Sequence, residues 1–81
     1  MRAEELRMLL DRRPFRPLRI HISSGEYVDV IHPEMAFVSR SLVAVAVPPT
    51  RGVAEAIAHY SLIHVVKVVP LAQTSRRRRR A

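Results

Sequence analysis

Apolar and polar residues alternate most clearly between Leu18 and Ile31, LRIHISSGEYVDVI. Leu18, Ile20 and Ile22 recur at every second position, as do Val28 and Val30. A period of two places each set on one face of a strand. Ser23-Ser24-Gly25-Glu26 lies between them, and Gly25 can take positive φ without steric cost. The segment therefore predicts a hairpin with Leu18, Ile20 and Ile22 inward and Arg19, His21 and Ser23 outward.

Ahead of it, Ala3 to Arg13 changes period. Leu6, Leu9 and Leu10 fall at i, i+3 and i+4, one stripe of a helix, with Met8 and Arg13 at its border. Glu4 and Glu5 suit the positive end of the helix dipole, and Arg12 and Arg13 suit the negative end. Pro14 ends the helix. Three turns are marginal alone, so the leucines must pack on the sheet that follows. Phe15, between Pro14 and Pro17, reads as a core plug.

The second strand is expected to meet a bend, bulge or edge position at Pro33, which has no N–H to donate. An apolar run, Met35, Phe37 and Val38, leads to the polar connection Ser39-Arg40-Ser41. Leu42 to Val47, LVAVAV, is apolar on both faces, which predicts two covered sides. Pro48 to Gly52 is a loop. Val53 to His59 fits either a helical turn or the period-two set Ala54, Ala56, Ala58, Tyr60. Tyr60 to Val69 is rich in β-formers, either continuous or broken near Ser61, and ends at Pro70.

These elements predict one mainly β domain over residues 1–71, with a helix at about 3–13 and strands within 17–70. Five short strands would close into a strongly bent, SH3-like antiparallel barrel, which removes open edges. An open antiparallel sheet covered by one helix is the second reading. Residues 72–81 are expected to form a disordered arginine-rich tail.

Eighty-one residues with 48% apolar content sharpen this picture. A chain of this length buries only roughly 60–65% of its unfolded surface. With no cysteine, no disulfide can add stability. Oligomerisation is the usual remedy, so a homo-oligomer is expected, with a compact monomer as the alternative. The net charge is +7, but Arg76–Arg80 supply five of the basic residues; without them nine basic residues face seven acidic ones, a balance of +2. No transmembrane stretch or signal-peptide pattern is read, and a cytoplasmic setting is expected.

Candidate chemistry is sparse. His21, His32, His59 and His64 lack metal-motif spacing, and Glu26, Asp29 and Glu34 read as solvated surface. The serines sit in turns, and Gly25 and Gly52 cannot build a phosphate loop. No enzyme activity, metal or cofactor is expected. Binding groups are better represented. Arg19, His21 and Lys67 interrupt strand runs, and Arg40 and Arg51 lie in loops. Arg76, Arg77, Arg78, Arg79 and Arg80 would attract polyanions independently of sequence, or acidic lipid headgroups.

The helix, Leu18–Ile22, Gly25, the segment His32-Pro33-Glu34-Met35 and the terminal Val68-Val69-Pro70 together resemble the Sm-like fold, particularly its bacterial Hfq branch. PFRPLRIHISSGEYVDVIHPEMAFVSRS with SLIHVVKVVPL is also similar to a set of small bacterial proteins, common in planctomycetes, with no established function. The Sm-like resemblance implies a bent five-stranded barrel assembled into a ring, with RNA bases bound around the pore. The chain departs from that pattern. Leu62-Ile63, with His64 beside them, stand where the family has a Lys-His or Arg-Gly pair, and Pro33, Glu34 or Met35 stands where a polar residue belongs.

The resulting expectation is a non-enzymatic, oligomeric Sm-like module binding RNA through Arg19, His21, Arg40, His64, Lys67 and Arg76–Arg80. The alternative is a structural or protein-interaction module that self-assembles without specific nucleic-acid binding. A small DNA-associated protein is a third reading, weakened by the acidic first turn of the helix.

Overall fold

The computed structural model describes residues 1–48 and 54–71. Its elements are α1 (Ala3–Asp11), β1 (Leu18–Ile22), β2 (Tyr27–Val30), β3 (Ala36–Val38), β4 (Leu42–Val47), β5 (Ala56–Ser61) and β6 (Val65–Pro70). Short 3-10 turns, Pro33–Met35 and Leu62–His64, precede β3 and β6.

The predicted hairpin forms. β1 and β2 are antiparallel, with Ile20 opposite Val28 and Leu18 opposite Val30. All four side chains are buried, as is Ile22, so the alternation was read on the right face. Gly25 closes the turn at φ 98°, and its N–H donates to the Ile22 carbonyl at 2.9 Å. β6 returns to pair with β1 on its other side, with Ile20 opposite Val68 and an irregularity between His21 and Ile22.

The barrel is not present. Six strands form two separate three-stranded antiparallel sheets, sheet A ordered β2-β1-β6 and sheet B ordered β3-β4-β5. Among the described residues no ladder joins them, so the Sm-like and Hfq-like fold reading is corrected, as is the single open sheet. The cause lies in the two sheet-switching segments. At Pro33 the chain enters a 3-10 turn whose first residue has no N–H, and β2 stops at Val30. β3 then starts a fresh ladder with β4 alone. The Leu62–His64 turn similarly parts β5 from β6. Tyr60 to Val69 is thus broken near Ser61, one of the two forms expected, and its halves belong to different sheets.

One core unites the layers. Ile20, Val28, Val30 and Val65 from sheet A pack in it with Ala36, Val43 and Val45 from sheet B. Leu6 and Leu10 of α1 and Leu62 complete it, with Phe15 and Tyr60 packed against it. Burying an aliphatic side chain of this size contributes about 1.5–3 kcal/mol, which is why the short helix holds. Its ends are also satisfied. The Arg2 N–H donates to Glu5 Oε1 at 3.1 Å. Arg13, beyond the last helical residue, donates from Nη1 to the Leu10 carbonyl at 3.0 Å.

Of the two covered sides expected for LVAVAV, one is covered within the chain. Val43 and Val45 are fully buried, whereas Leu42, on the opposite face, is exposed. The expected loop at 48–52 falls largely outside the described residues, as does the arginine-rich tail at 72–81.

Candidate functional site

The outer face of sheet A carries three of the expected contact residues. Arg19 stands between Asp29 and Val69, and His21 between Tyr27 and Lys67, in adjacent cross-strand rows. Arg19 is committed within the protein. Its Nε and Nη2 donate to the two Asp29 carboxylate oxygens at 2.8 and 3.1 Å. Its guanidinium carbon lies 4.0 Å from the Tyr27 ring centroid. The hydrogen bond to Asp29 is the main cause raising the Arg19 pKa above its ordinary value. His21 stands at 6.1 Å from the same ring, tilted by 52°.

The remaining expected residues are dispersed. Arg40 is exposed in the β3–β4 turn of sheet B. His64 lies beyond β1, where its Nδ1 is 3.2 Å from the Ser23 hydroxyl and its carbonyl accepts the Ser23 N–H at 2.8 Å. Arg51 and Arg76–Arg80 lie outside the described residues. The structure brings Arg19, His21 and Lys67 together on sheet A, sets His64 beside Ser23 just past β1, and leaves Arg40 on sheet B. With Arg19 neutralised by Asp29, no basic RNA-binding face forms among the described residues. The reading as an Sm-like RNA-binding module is corrected on that ground and on the unclosed sheets.

Among the described residues, no three His, Asp or Glu side chains stand close enough to hold a metal ion. A groove of about 330 Å³ between α1 and β3 is rimmed by Arg7, Arg13, Asp11 and Glu34, charges that offset one another.

Sheet B offers the more distinctive surface. Phe37, Ala44 and His59 form one cross-strand row, flanked by Leu42 with Ser61 and by Ala46 with Ile57. All project away from the core, because their neighbours Val43 and Val45 point into it. Phe37 is 76% exposed, Ile57 62% and Leu42 43%. A groove of about 330 Å³ runs beside Phe37, lined by Ser39, Leu42, Ala44 and His59. No ionised carboxylate, lysine or arginine interrupts these rows. The signal for this face is present in LVAVAV, whose second apolar set is expected to be covered by the helix or a subunit partner.

Among the described residues no strand pairs with the outer edge of β5. The Leu62 N–H donates to the Ser41 carbonyl at 2.8 Å. Antiparallel alternation then turns the backbone of Ala58 and Tyr60 toward β4, and that of Ile57, His59 and Ser61 toward the free edge. β5 has neither a proline nor a charge to blunt that edge. On sheet A, β6 carries Lys67 and ends in Pro70.

No protein-family model matches the chain, and no curated protein or solved structure matches it significantly. The resemblance to Sm-like proteins and to the small planctomycete-type proteins therefore has no support beyond the residues that suggested it.

Proposed function

We propose that this protein is a non-enzymatic interaction module that associates with further copies of itself through sheet B. The observation that carries the proposal is the outer face of that sheet, where Phe37, Leu42 and Ile57 stand exposed around Ala44 and Ala46. A sheet face that meets water ordinarily alternates to polar residues. Here only His59 and Ser61 do so within the three rows. Contiguous apolar patches of this kind mark interaction surfaces.

A small chain without disulfides gains stability from such association by mass action. The core lies within one copy, so each copy folds first and then associates. The proposal takes the cytoplasm as its setting and needs no cofactor. No helix among the described residues is long and apolar enough to cross a membrane.

The test is light scattering on the full chain across a concentration series. The expected result is a mass that rises above that of one chain with concentration. A single-chain mass at every concentration up to the millimolar range overturns the proposal.

A further inference from the structure

Among the described residues the exposed face of sheet B carries no formal charge. Arg40 lies in the β3–β4 turn near one end, and Glu34, which shares a groove with Arg7, Asp11 and Arg13, lies just before β3 near the other. Both are exposed. Phe37 stands on the strand between them, in the middle row with Ala44 and His59.

From this arrangement we propose an isologous dimer, resting on the self-association reading above, in which the outer faces of two B sheets pack against each other. The two-fold axis lies across the strands along the Phe37-Ala44-His59 row. Rotation about that axis carries β3 of one copy over β3 of the other, so Phe37 meets Phe37. It also exchanges the two ends, setting Arg40 of each copy toward Glu34 of its partner. Any two-fold contact places a surface against itself, so a charged patch would repel its own copy. This face avoids that cost by being uncharged at its centre, with Arg40 and Glu34 as the pair brought together at each end.

The shape agrees with the charge pattern. Phe37 is a ridge beside a groove of about 330 Å³ lined by Ser39, Leu42, Ala44 and His59. That groove has room for the partner's phenyl ring, offset from its own, the arrangement aromatic pairs prefer. Sheets packed face to face interdigitate their side chains in this way at a separation of about 10 Å.

The area sets the strength. At roughly 150–250 Å² for each large side chain, the exposed fractions of Phe37, Ile57 and Leu42 with the neighbouring alanines and His59 offer roughly 400–500 Å² per copy. The pair buries roughly 800–1,000 Å², the lower boundary for a specific interface. The dimer is accordingly weak, with a dissociation constant on the order of micromolar to hundreds of micromolar.

The experiment is sedimentation equilibrium of the full chain and four variants: Phe37→Glu, Arg40→Glu, Glu34→Arg, and the double exchange Arg40→Glu with Glu34→Arg. Circular dichroism verifies that each is folded. Phe37→Glu should raise the dissociation constant at least about tenfold, as expected for a central aromatic. Each single charge reversal should weaken the dimer, and the double exchange should restore it toward the original value.

Unchanged association in Phe37→Glu, or a double exchange no tighter than its singles, overturns the face-to-face dimer. In either case self-association itself stands where the parent chain still associates. A monomeric parent chain overturns both proposals together.

Discussion

Arg19 and Asp29, directly opposite each other on β1 and β2, share two parallel hydrogen bonds, from Nε to Oδ1 at 2.8 Å and from Nη2 to Oδ2 at 3.1 Å. The guanidinium simultaneously rests on the Tyr27 ring. This geometry makes Arg19 a structural brace across the hairpin. Its side chain is 25% exposed and that of Asp29 17%, so solvent screens the pair only partly. Asp29→Asn should destabilise the fold by about 0.5–1.5 kcal/mol, measured by urea denaturation. Arg19→Lys should lose most of the same amount, because an ammonium cannot make the planar double contact. A destabilisation below about 0.2 kcal/mol in both variants contradicts the brace.

The sign of the pH effect follows from the raised Arg19 pKa. A base held more tightly in the folded state contributes its full stability below the ordinary guanidinium pKa and loses it only as pH rises through the higher folded value. Arg19 deprotonation therefore adds no pH dependence to stability from pH 5 to 9. Comparing the parent with Arg19→Met in that window should show no loss attributable to the guanidinium proton as pH rises.

Gly25 tests the turn. Its φ of 98° lies where residues with a Cβ are strained, yet a Cβ built there meets nothing within 4 Å. Gly25→Ala should thus cost about 1–2 kcal/mol through backbone conformation alone. Gly25→Asn should recover part of that loss, since asparagine tolerates the left-handed region better. Equal losses in the two variants would point to a contact instead of a conformational cause.

Ala44 and Val45 are consecutive residues of β4 on opposite faces. Val45 is fully buried, and Val45→Ala should destabilise by about 1.5–3 kcal/mol through the cavity it leaves. Ala44→Thr, on the outer face, should stay within about 0.5 kcal/mol in the single chain, since it neither opens nor overfills the core. Chemical denaturation at low concentration, below the range of self-association, separates the two.

Local period was the legible part of this chain. Leu18-Ile20-Ile22 and Leu6-Leu9-Leu10 place their buried faces without reference to anything distant, and Gly25 marks its own turn. Connectivity was less legible. Pro33 signals a break, but nothing in its neighbours says whether the next strand extends the old sheet or founds a new one. The same holds at Ser61, where Leu62 to His64 make a turn from residues that also suit strands. Arg19 read as a free contact because its partner, Asp29, is ten positions away and becomes adjacent only through the hairpin register. LVAVAV showed two apolar faces; its inner face is covered by the core, and of the two covers expected for the other, the helix or a subunit partner, the helix does not supply it.

The open edge of β5 yields the last prediction. Ser61 has φ −73°, a value proline adopts without strain, and its N–H faces away from β4. Ser61→Pro therefore removes no ladder bond and restricts the unfolded chain, so stability should be unchanged or rise by up to about 1 kcal/mol. Tyr60→Pro, one residue earlier, removes an N–H directed at Val43 in the central strand. It also replaces a side chain packed against the core. That variant should lose about 3 kcal/mol or more. Thermal melts of the two side by side check the assignment, and a Ser61→Pro loss as large as that of Tyr60→Pro would mean that the backbone of β5 faces the other way.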